Sequence, residues 1–314
     1  MRRVVSAVLL ALSVVSCGKR PHALQPREGR IPVEGGHIWY RIAGSGTKTP
    51  LILLHGGPGV PSYYLKPLLA LADERPVIIY DQLGAGKSDH VTDTALFNIP
   101  RFVRELQALR DSLGIRDVYI LGHSWGTILG TEYALAHQGG VRGLILASSA
   151  LSIPMWLHDA DSLLRTMPDS TQRTIHRLEA QHAETTAAYQ GAVMEYYGRY
   201  VFLTPPTPDT DSSFSQIAGP LYNYMQGASE FVVTGTLKHY DITPRLHELR
   251  LPVLFTAGDH DEATPTSTRA FAAMIPGSKV EIIPHSGHLT TNDNPDAMIR
   301  AVRVFLDSLD ATHR

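Results

Sequence analysis

The stretch 118–126, Val-Tyr-Ile-Leu-Gly-His-Ser-Trp-Gly, places Ser124 between two glycines directly after a short apolar run. Four apolar residues without polar alternation, 118–121, are typical of a strand that is buried on both faces of a parallel sheet. The residues after Gly126 continue as a helix to about His137. A serine on a sharp strand-to-helix turn has an exposed hydroxyl, and its flanking glycines are needed because strand and helix approach too closely for side chains. The pattern predicts Ser124 as a nucleophile; an ordinary glycine-rich turn is the alternative.

Apolar runs of the same kind recur along the chain, and they alternate with segments of helical spacing. The runs are 51–54, 77–80, 141–147, 253–256 and 280–283. Residues 38–42 alternate in the manner of an edge strand, and 102–113 carries its apolar residues at helical intervals. Strands that alternate with helices predict an α/β protein with a mostly parallel, doubly wound sheet.

The alternation stops between residues 152 and 245. That segment contains no comparable apolar run and is rich in tyrosine and in residues that favour helices. We interpret it as a helical cap that is inserted into the α/β core. The core would then consist of two parts, residues 31–151 and 246–314.

The composition is that of a globular protein and excludes several classes of function. The chain has 314 residues, of which 43% are hydrophobic and 18% charged, which is enough apolar material for a large core. A formal net charge of −2 offers no electrostatic basis for binding nucleic acid. No His-Glu-x-x-His or Cys-x-x-Cys spacing occurs, so we expect neither a metal nor another cofactor.

The first 17 residues have the pattern of an export signal. Arg2 and Arg3 precede an apolar run over 4–15, which is shorter than the about 20 residues that cross a bilayer. The Val-Val-Ser before Cys17 resembles a bacterial lipobox, in which the cysteine is lipidated; conventional signal cleavage is the alternative. Residues 18–30 are polar and are interpreted as a tether. We therefore expect an exported, membrane-anchored lipoprotein that faces the periplasm or the cell exterior.

A glycine-rich loop follows the apolar run 51–54. Its sequence over 55–59 is His-Gly-Gly-Pro-Gly, and such a loop can direct a backbone N–H at a substrate carbonyl. The residue after the nucleophile supplies the second donor of such an oxyanion hole. Gly57 and Trp125 are therefore the predicted oxyanion donors.

The loops after the last two apolar runs offer an acid and a base. A nucleophilic serine on such a turn is followed in the chain by Asp or Glu and then by His. Loop 258–262 carries three candidate acids, Asp259, Asp261 and Glu262. Loop 284–288 carries His285 and His288. His288 is the predicted base, because the flexible Ser-Gly pair before it lets its imidazole reach over the sheet edge, whereas His285 lies nearer the strand.

These motifs together resemble the proline iminopeptidase family of α/β-hydrolase serine peptidases, and within it the tricorn-interacting aminopeptidases and amino acid amidases. The similar segments are 55–59, Asp81-Gln82-x-Gly-x-Gly-x-Ser88, 122–126, 225–231, 234–236 and 258–265. The resemblance implies an α/β-hydrolase core with a helical cap, and release of one residue from a free N-terminus through an acyl-enzyme. It also implies that Asp261 is the catalytic acid and that Glu230 and Glu262 bind the substrate's α-ammonium.

One position departs from the pattern of many proline iminopeptidases. They have arginine in Asp-Gln-Arg-Gly, where this chain has Leu83, and the tricorn-interacting subgroup also has an apolar residue there. The departure favours an aminopeptidase with broader specificity, acting on proline or other N-terminal residues of peptides or amino acid amides. Two alternatives remain: a capped hydrolase of esters or small amides with the same triad, and a non-catalytic lipoprotein that serves as a binding module.

Overall fold

One sheet of eight strands lies at the centre of the computed structural model, which describes residues 23–229 and 231–312. The strands are β1 (Arg27–Val33), β2 (Gly36–Ala43), β3 (Leu51–Leu54), β4 (Val77–Asp81), β5 (Val118–His123), β6 (Val141–Ala147), β7 (Val253–Gly258) and β8 (Lys279–Ile283). Their order across the sheet is β1-β2-β4-β3-β5-β6-β7-β8. β2 runs antiparallel to both neighbours, whereas β3 to β8 are mutually parallel. The carboxyl ends of those six strands therefore meet at one edge.

Helices cover both faces of the sheet and fill the segment between β6 and β7. They are α1 (Ile99–Leu113), α2 (Trp125–Ala136), α3 (Ile153–Leu164), α4 (Asp169–Glu179), α5 (Ala187–Tyr200), α6 (Pro208–Ser215), α7 (Gly219–Met225), α8 (Pro265–Ala273), α9 (Thr290–Asp293) and α10 (Pro295–Thr312). Local signals set their ends: Asn98 caps α1 by accepting the Arg101 N–H, and Gly114 ends α1 in the left-handed region at φ 68°.

The strand interiors explain why the apolar runs lack polar alternation. Neighbouring residues of a strand point to opposite faces of the sheet. Ile52 accordingly belongs to an apolar cluster that includes Phe102 of α1, whereas Leu53 belongs to one that includes Phe305 of α10. Because both faces are covered, every residue of β3, β4 and β5 is buried. The predicted α/β-hydrolase fold, with a mostly parallel and doubly wound sheet, is confirmed by this topology.

Two expectations for the start of the fold need correction. β1 begins at Arg27, so residues 27–30 are part of the sheet and not of the predicted tether. β1 pairs with β2 over its whole length, and β2 also pairs with β4, so β2 is not an edge strand. The pattern concealed β1 because it is an edge strand of the sheet: Ile31 alone of its seven residues is buried, and Arg27, Glu28 and Arg30 are exposed.

Helices α3 to α7 form the segment that the sequence marks as a cap. Part of this segment has an apolar cluster of its own, which includes Ile175 of α4 and Tyr189, Val193 and Tyr196 of α5. The predicted bounds of the cap, 152 and 245, remain predictions. The export signal and Cys17 lie outside the described residues. Within the described part of the chain, no helix has the length and apolar character needed to span a membrane.

Candidate active site

Ser124 occupies a strained turn between β5 and α2. Its backbone has φ 53° and ψ −121°, a conformation that non-glycine residues rarely adopt. A Cβ atom at Gly122 would lie 2.1 Å from the Gly126 carbonyl oxygen, and one at Gly126 would lie 2.3 Å from that of Leu54. Only glycine fits at either flank. The two glycines therefore permit the close strand–helix crossing that presents the Ser124 hydroxyl at the sheet edge.

His288 and Asp261 form a buried hydrogen-bonded pair. His288 Nδ1 lies 2.8 Å from Asp261 Oδ1, and the two residues are 6% and 1% exposed. The carboxylate also accepts the Ala263 N–H at 2.8 Å, the Ser148 hydroxyl at 2.6 Å and the Gly258 N–H at 3.2 Å. Donors on both oxygens hold the carboxylate in one orientation. The imidazole then donates through Nδ1 and is left with Nε2 as a proton acceptor.

Asp259 and His285, the alternative candidates for acid and base, lie outside the buried pair and form hydrogen bonds or turns within their loops. Asp259 accepts the N–H groups of His285 at 2.9 Å and Ser286 at 3.0 Å, and His260 Nδ1 lies 2.9 Å from its Oδ1. Although partial burial opposes the shift, these hydrogen bonds lower the pKa of Asp259 to about 2. His285 is exposed and adopts φ 54°. These groups shape the loop that carries His288, and of the candidate acids it is Asp261 that contacts the imidazole.

Ser124 and His288 line the same cavity at the carboxyl ends of the strands. That cavity has a volume of about 270 Å³ and is also lined by Gly57 and Glu262. Within the residues that the structure describes, no hydrogen bond joins the Ser124 hydroxyl to His288. Contacts between catalytic groups commonly tighten only when substrate binds. The site therefore brings together the predicted hydroxyl and imidazole without a direct bond between them.

The two predicted oxyanion donors flank Ser124. Gly57 has φ 110°, and an added Cβ would lie 2.7 Å from the Gly59 and Val60 nitrogens, so this turn also requires glycine. Trp125 is the first residue of α2, where a backbone N–H has no partner within its helix. Gly57, Ser124 and Trp125 line one small recess. Both predicted donor residues therefore lie at the recess that Ser124 lines, on two different segments of the chain.

One buried side chain connects those two segments. Gln82 Oε1 accepts the Trp125 indole N–H at 2.8 Å, and Gln82 Nε2 donates to the His55 carbonyl at 3.2 Å. The Gln82 backbone N–H donates to His55 Nε2 at 2.9 Å. Burial lowers the pKa of His55, so its ring is neutral and its Nδ1–H donates to the Gly56 carbonyl at 3.0 Å. Gln82 thus sets the position of the glycine loop relative to the nucleophile turn.

His123 connects the nucleophile turn to the other two loops. Its Nδ1 accepts the Tyr64 hydroxyl at 2.8 Å, and that hydroxyl accepts the Gly56 N–H at 2.8 Å. Its Nε2–H donates to the His288 carbonyl at 2.9 Å. Burial, with a smaller contribution from the nearby His288, lowers the pKa of His123 to about 3. His123 is therefore a neutral linker and not a second base.

The structure describes one of the two carboxylates that are predicted to bind the substrate's ammonium. Glu262 is 4% exposed and lines the cavity next to His288. Glu230 lies outside the described residues, although its neighbour Ser229 lines the same cavity. Within residues 23–229 and 231–312, no cluster of three His, Cys, Asp or Glu side chains has the arrangement of a metal site.

Known proteins are similar to this chain over most of its length. A family model described as the alpha/beta hydrolase fold matches residues 49–295. A proline iminopeptidase of Heyndrickxia coagulans is 39% identical over 287 residues, which cover 90% of this chain and 99% of that protein. The chain belongs to the proline iminopeptidase family of α/β hydrolases. It is a serine hydrolase of the prolyl aminopeptidase type, which confirms the class that the motifs predicted.

Two solved structures and a further relative extend the comparison. The crystal structure of VinJ superposes with a TM-score of 0.87 at 32% identity and covers 91% of this chain and 100% of that one. A proline iminopeptidase from Mycobacterium smegmatis gives a TM-score of 0.85 at 34% identity, with 92% and 100% covered. A proline iminopeptidase of Saccharolobus solfataricus is 31% identical over 92% of this chain and 94% of its own length.

Three supporting residues of this proline iminopeptidase family member escaped the sequence reasoning. Gln82 was visible as part of the Asp-Gln motif, and His123 as the residue before the serine, but neither spacing indicates a partner. Ser148, which donates to Asp261, directly follows β6. Its only local signal is its place at the carboxyl end of a buried strand. Its left-handed φ of 53° is not visible in a sequence.

Proposed function

We propose that this enzyme releases the N-terminal residue, with proline the first candidate, from peptides or amino acid amides through an acyl-enzyme. The observation that carries the proposal is that the Asp261–His288 pair adjoins the cavity that Ser124 and Glu262 line. Relatives called proline iminopeptidase, at 31–39% identity, support proline as the residue released.

The proposed reaction uses groups that this chain supplies. Ser124 Oγ forms a bond to the carbonyl carbon while its proton moves to His288 Nε2, and Asp261 stabilises the resulting imidazolium. The N–H groups of Gly57 and Trp125 stabilise the oxyanion, each by about 3 kcal/mol. The C–N bond then breaks, and the leaving amine takes the proton from His288. Water attacks the acyl-enzyme by the same route and releases the amino acid.

The carboxylate of Glu262 favours substrates that have a free N-terminus. It is a nearly buried carboxylate in the wall of the cavity that contains the nucleophile. An ammonium group on the substrate compensates its charge, whereas an N-acetylated substrate leaves the carboxylate buried without that cation. Glu230, predicted from the resemblance, would be the second carboxylate. We infer that the pair sets the distance from the substrate's amino end to the scissile carbonyl.

The first test examines Ser124. We expect Ser124→Ala to remain folded and to lose both turnover of proline arylamide and covalent labelling by a fluorophosphonate probe. Labelling of the unaltered enzyme without any turnover of aminoacyl arylamides would favour the ester hydrolase alternative, which a simple aryl ester then examines. Absence of labelling in the unaltered chain would favour the binding module.

The second test examines Glu262. Glu262→Gln is expected to raise KM for proline arylamide about 100-fold, because the ammonium loses a buried partner. Its KM for N-acetylprolyl arylamide is expected not to rise. Glu281→Gln, on the exposed part of β8, is the matched control and is expected to leave both constants unchanged. Equal losses on the two substrates would contradict an ammonium-binding role.

We also propose that the chain is exported and anchored through a lipid on Cys17. The support is the order of basic, apolar and lipobox-like residues in the first 17 positions. Cells that express the full chain and are fed radiolabelled palmitate should label it, and Cys17→Ser should abolish that label. Release of unlabelled enzyme with its signal removed, without any change in Cys17→Ser, would indicate conventional cleavage.

A further inference from the structure

The α5 side of the cavity is an apolar wall. Tyr189, Val193 and Tyr197 follow one another at intervals of four residues along α5 and therefore lie on one face, one turn apart. Gln190 and Met194 extend that face sideways and also line the cavity. We call these five residues the α5 wall. Four of its five side chains are aromatic or aliphatic, so it contacts a ligand mainly through apolar surface.

Another part of the cavity wall, contributed by α6 and the segment after it, is apolar as well. Phe214 of α6 and Ile217 after it line the cavity. Phe202 joins the two sides, because its ring centroid lies 6.1 Å from that of Tyr197 and 6.2 Å from that of Phe214, edge to face in both cases. The Tyr64 N–H donates to Ser213 Oγ at 3.0 Å, which fastens α6 to the core. The apolar part of the cavity wall is therefore held in place by ring contacts and by a hydrogen bond to the core.

The exposure of the lining residues distinguishes a closed end from an open one. Glu262 and His288 are 4% and 6% exposed, whereas Met194 on the α5 wall is 51% exposed. A substrate whose terminal ammonium lies at Glu262 therefore has its amino end at a buried part of the cavity. The remainder of the peptide must extend toward Met194. The open, apolar part of the cavity is thus where the leaving group lies.

The charge of the cavity lining is also unequal in sign, because Glu262 contributes a carboxylate. Among the described residues that line it, none is lysine or arginine. A free carboxylate on the leaving group would find no cation there and would lose part of its hydration. An apolar side chain at the same place would instead remove apolar surface from water.

We propose that this enzyme selects substrates whose residue after the scissile bond is apolar and whose carboxyl end is not a free carboxylate close to that bond. The preferred class is therefore N-terminal prolyl or aminoacyl amides, and peptides longer than two residues, with leucine-like or aromatic second residues. This inference rests on the proposed aminopeptidase activity and assigns the α5 wall to the leaving group.

Prolyl substrates with different leaving groups isolate this effect. All of them form the same prolyl-enzyme, so the attack of water on that intermediate is common to the series. The second residue can then influence only binding and acylation. Contacts that are equal in the bound substrate and the transition state alter KM and leave kcat unchanged. We therefore expect the preference to be expressed mainly in KM.

The experiment measures proline release by the full chain from Pro-Leu-NH2, Pro-Phe-NH2, Pro-Lys-NH2, Pro-Glu-NH2 and the free dipeptide Pro-Leu. We expect kcat/KM for the leucine and phenylalanine amides to exceed that for the lysine and glutamate amides about tenfold or more. Pro-Leu-NH2 is expected to be a better substrate than Pro-Leu. Equal values across the four amides would overturn the proposal.

Two methionine variants sharpen the assignment. Met194→Lys places a cation on the α5 wall and is expected to lower the ratio of Pro-Leu-NH2 to Pro-Glu-NH2 turnover about fivefold. Met274→Lys is the matched control, because Met274 is 37% exposed and does not line the cavity, and it is expected to leave the ratio unchanged. The same shift in both variants, or no shift in Met194→Lys, would count against the α5 wall.

The outcomes separate this inference from the proposed function. Turnover of all the prolyl amides at the same rate leaves the aminopeptidase activity in place and removes the leaving-group selection. Absence of proline release from every substrate and from proline arylamide, in enzyme that the fluorophosphonate probe labels, overturns the proposed function and this inference with it.

Discussion

The cavity has two sides that are held by different interactions. Its floor, formed by the loops that carry Ser124, Asp261 and His288 and by Gln82, is ordered by directed hydrogen bonds at 2.6–3.2 Å. Its roof, formed by α5 to α7, is ordered chiefly by contacts between rings and aliphatic chains. Within α5, for example, the ring centroids of Tyr196 and Tyr200 lie 4.9 Å apart.

The difference indicates that the floor positions the reacting groups, whereas the roof shapes the pocket. Hydrogen bonds depend steeply on distance and angle, so a network of them can hold reacting groups within a fraction of an ångström. Apolar packing is less directional, so it tolerates changes of side chain that alter the shape of a pocket. We therefore expect floor substitutions to reduce kcat, and roof substitutions to alter KM or stability.

The largest expected effect tests the acid of the floor. Asp261→Asn should reduce kcat about 10⁴-fold, because the amide cannot hold the imidazole with its proton on Nδ1. Asp259→Asn is the matched control from the same loop and should reduce kcat far less, because Asp259 orders the loop without contacting the imidazole. Steady-state kinetics on proline arylamide check both. A large loss of kcat in Asp259→Asn, or a small one in Asp261→Asn, would reverse the assignment.

The next effect tests the connection between the oxyanion segments. Gln82→Leu should reduce kcat about 10²-fold with little change in KM, because the Gly57 and Trp125 donors lose their common support. Gln138→Leu removes a glutamine that bonds the Glu248 carbonyl and the Arg250 N–H, remote from the cavity. Comparable losses of stability, with a loss of kcat in Gln82→Leu alone, are the expected result. If kcat is retained in both variants, Gln82 has only a structural role.

The third effect concerns acid stability and His123. The pKa of His123 is about 3 in the folded protein, against an ordinary value of 6.5. As the pH falls below 6.5, the unfolded chain takes up a proton that the folded protein excludes, so stability falls until about pH 3; above pH 6.5 there is no contribution. His123→Gln should reduce the slope of the unfolding free energy between pH 6 and 4 by about 1 kcal/mol per pH unit. Urea titrations at several pH values measure it, and an unchanged slope would contradict a buried neutral ring.

The smallest effect tests the apolar packing of α4 against α5, which supports the roof. Ile175 is fully buried in the apolar cluster of α4 and α5. Ile175→Val should lower the unfolding free energy by about 1 kcal/mol and leave kcat unchanged. Thermal or urea unfolding together with kinetics checks this. A fall in kcat as large as that of a floor variant would show that the roof takes part in ordering the catalytic groups.

Several parts of the floor could be read from local sequence, and others could not. The serine turn was predictable because glycines at 122 and 126 are a steric requirement of a strand–helix crossing. The choice among Asp259, Asp261 and Glu262 was not, because all three follow the same strand and spacing does not tell which side chain turns inward. The family resemblance suggested Asp261, and the structure brings Asp261 to His288. Strand β1 was missed because an edge strand buries too few side chains to leave an apolar pattern.

By itself, the sequence determined the parallel sheet, the turn that carries Ser124 and the two loops that carry Asp261 and His288, because burial and glycine sterics constrain the neighbouring residues. Only the tertiary structure decided the partners that hold those groups. Gln82 meets Trp125 across 43 residues, and Ser148 meets Asp261 across 113. Such contacts depend on how the strands are ordered in the sheet. No local pattern of residues indicates which distant parts of the chain will meet. The same holds for the α5 wall, whose tyrosines would pack equally well in a core if the helix lay elsewhere.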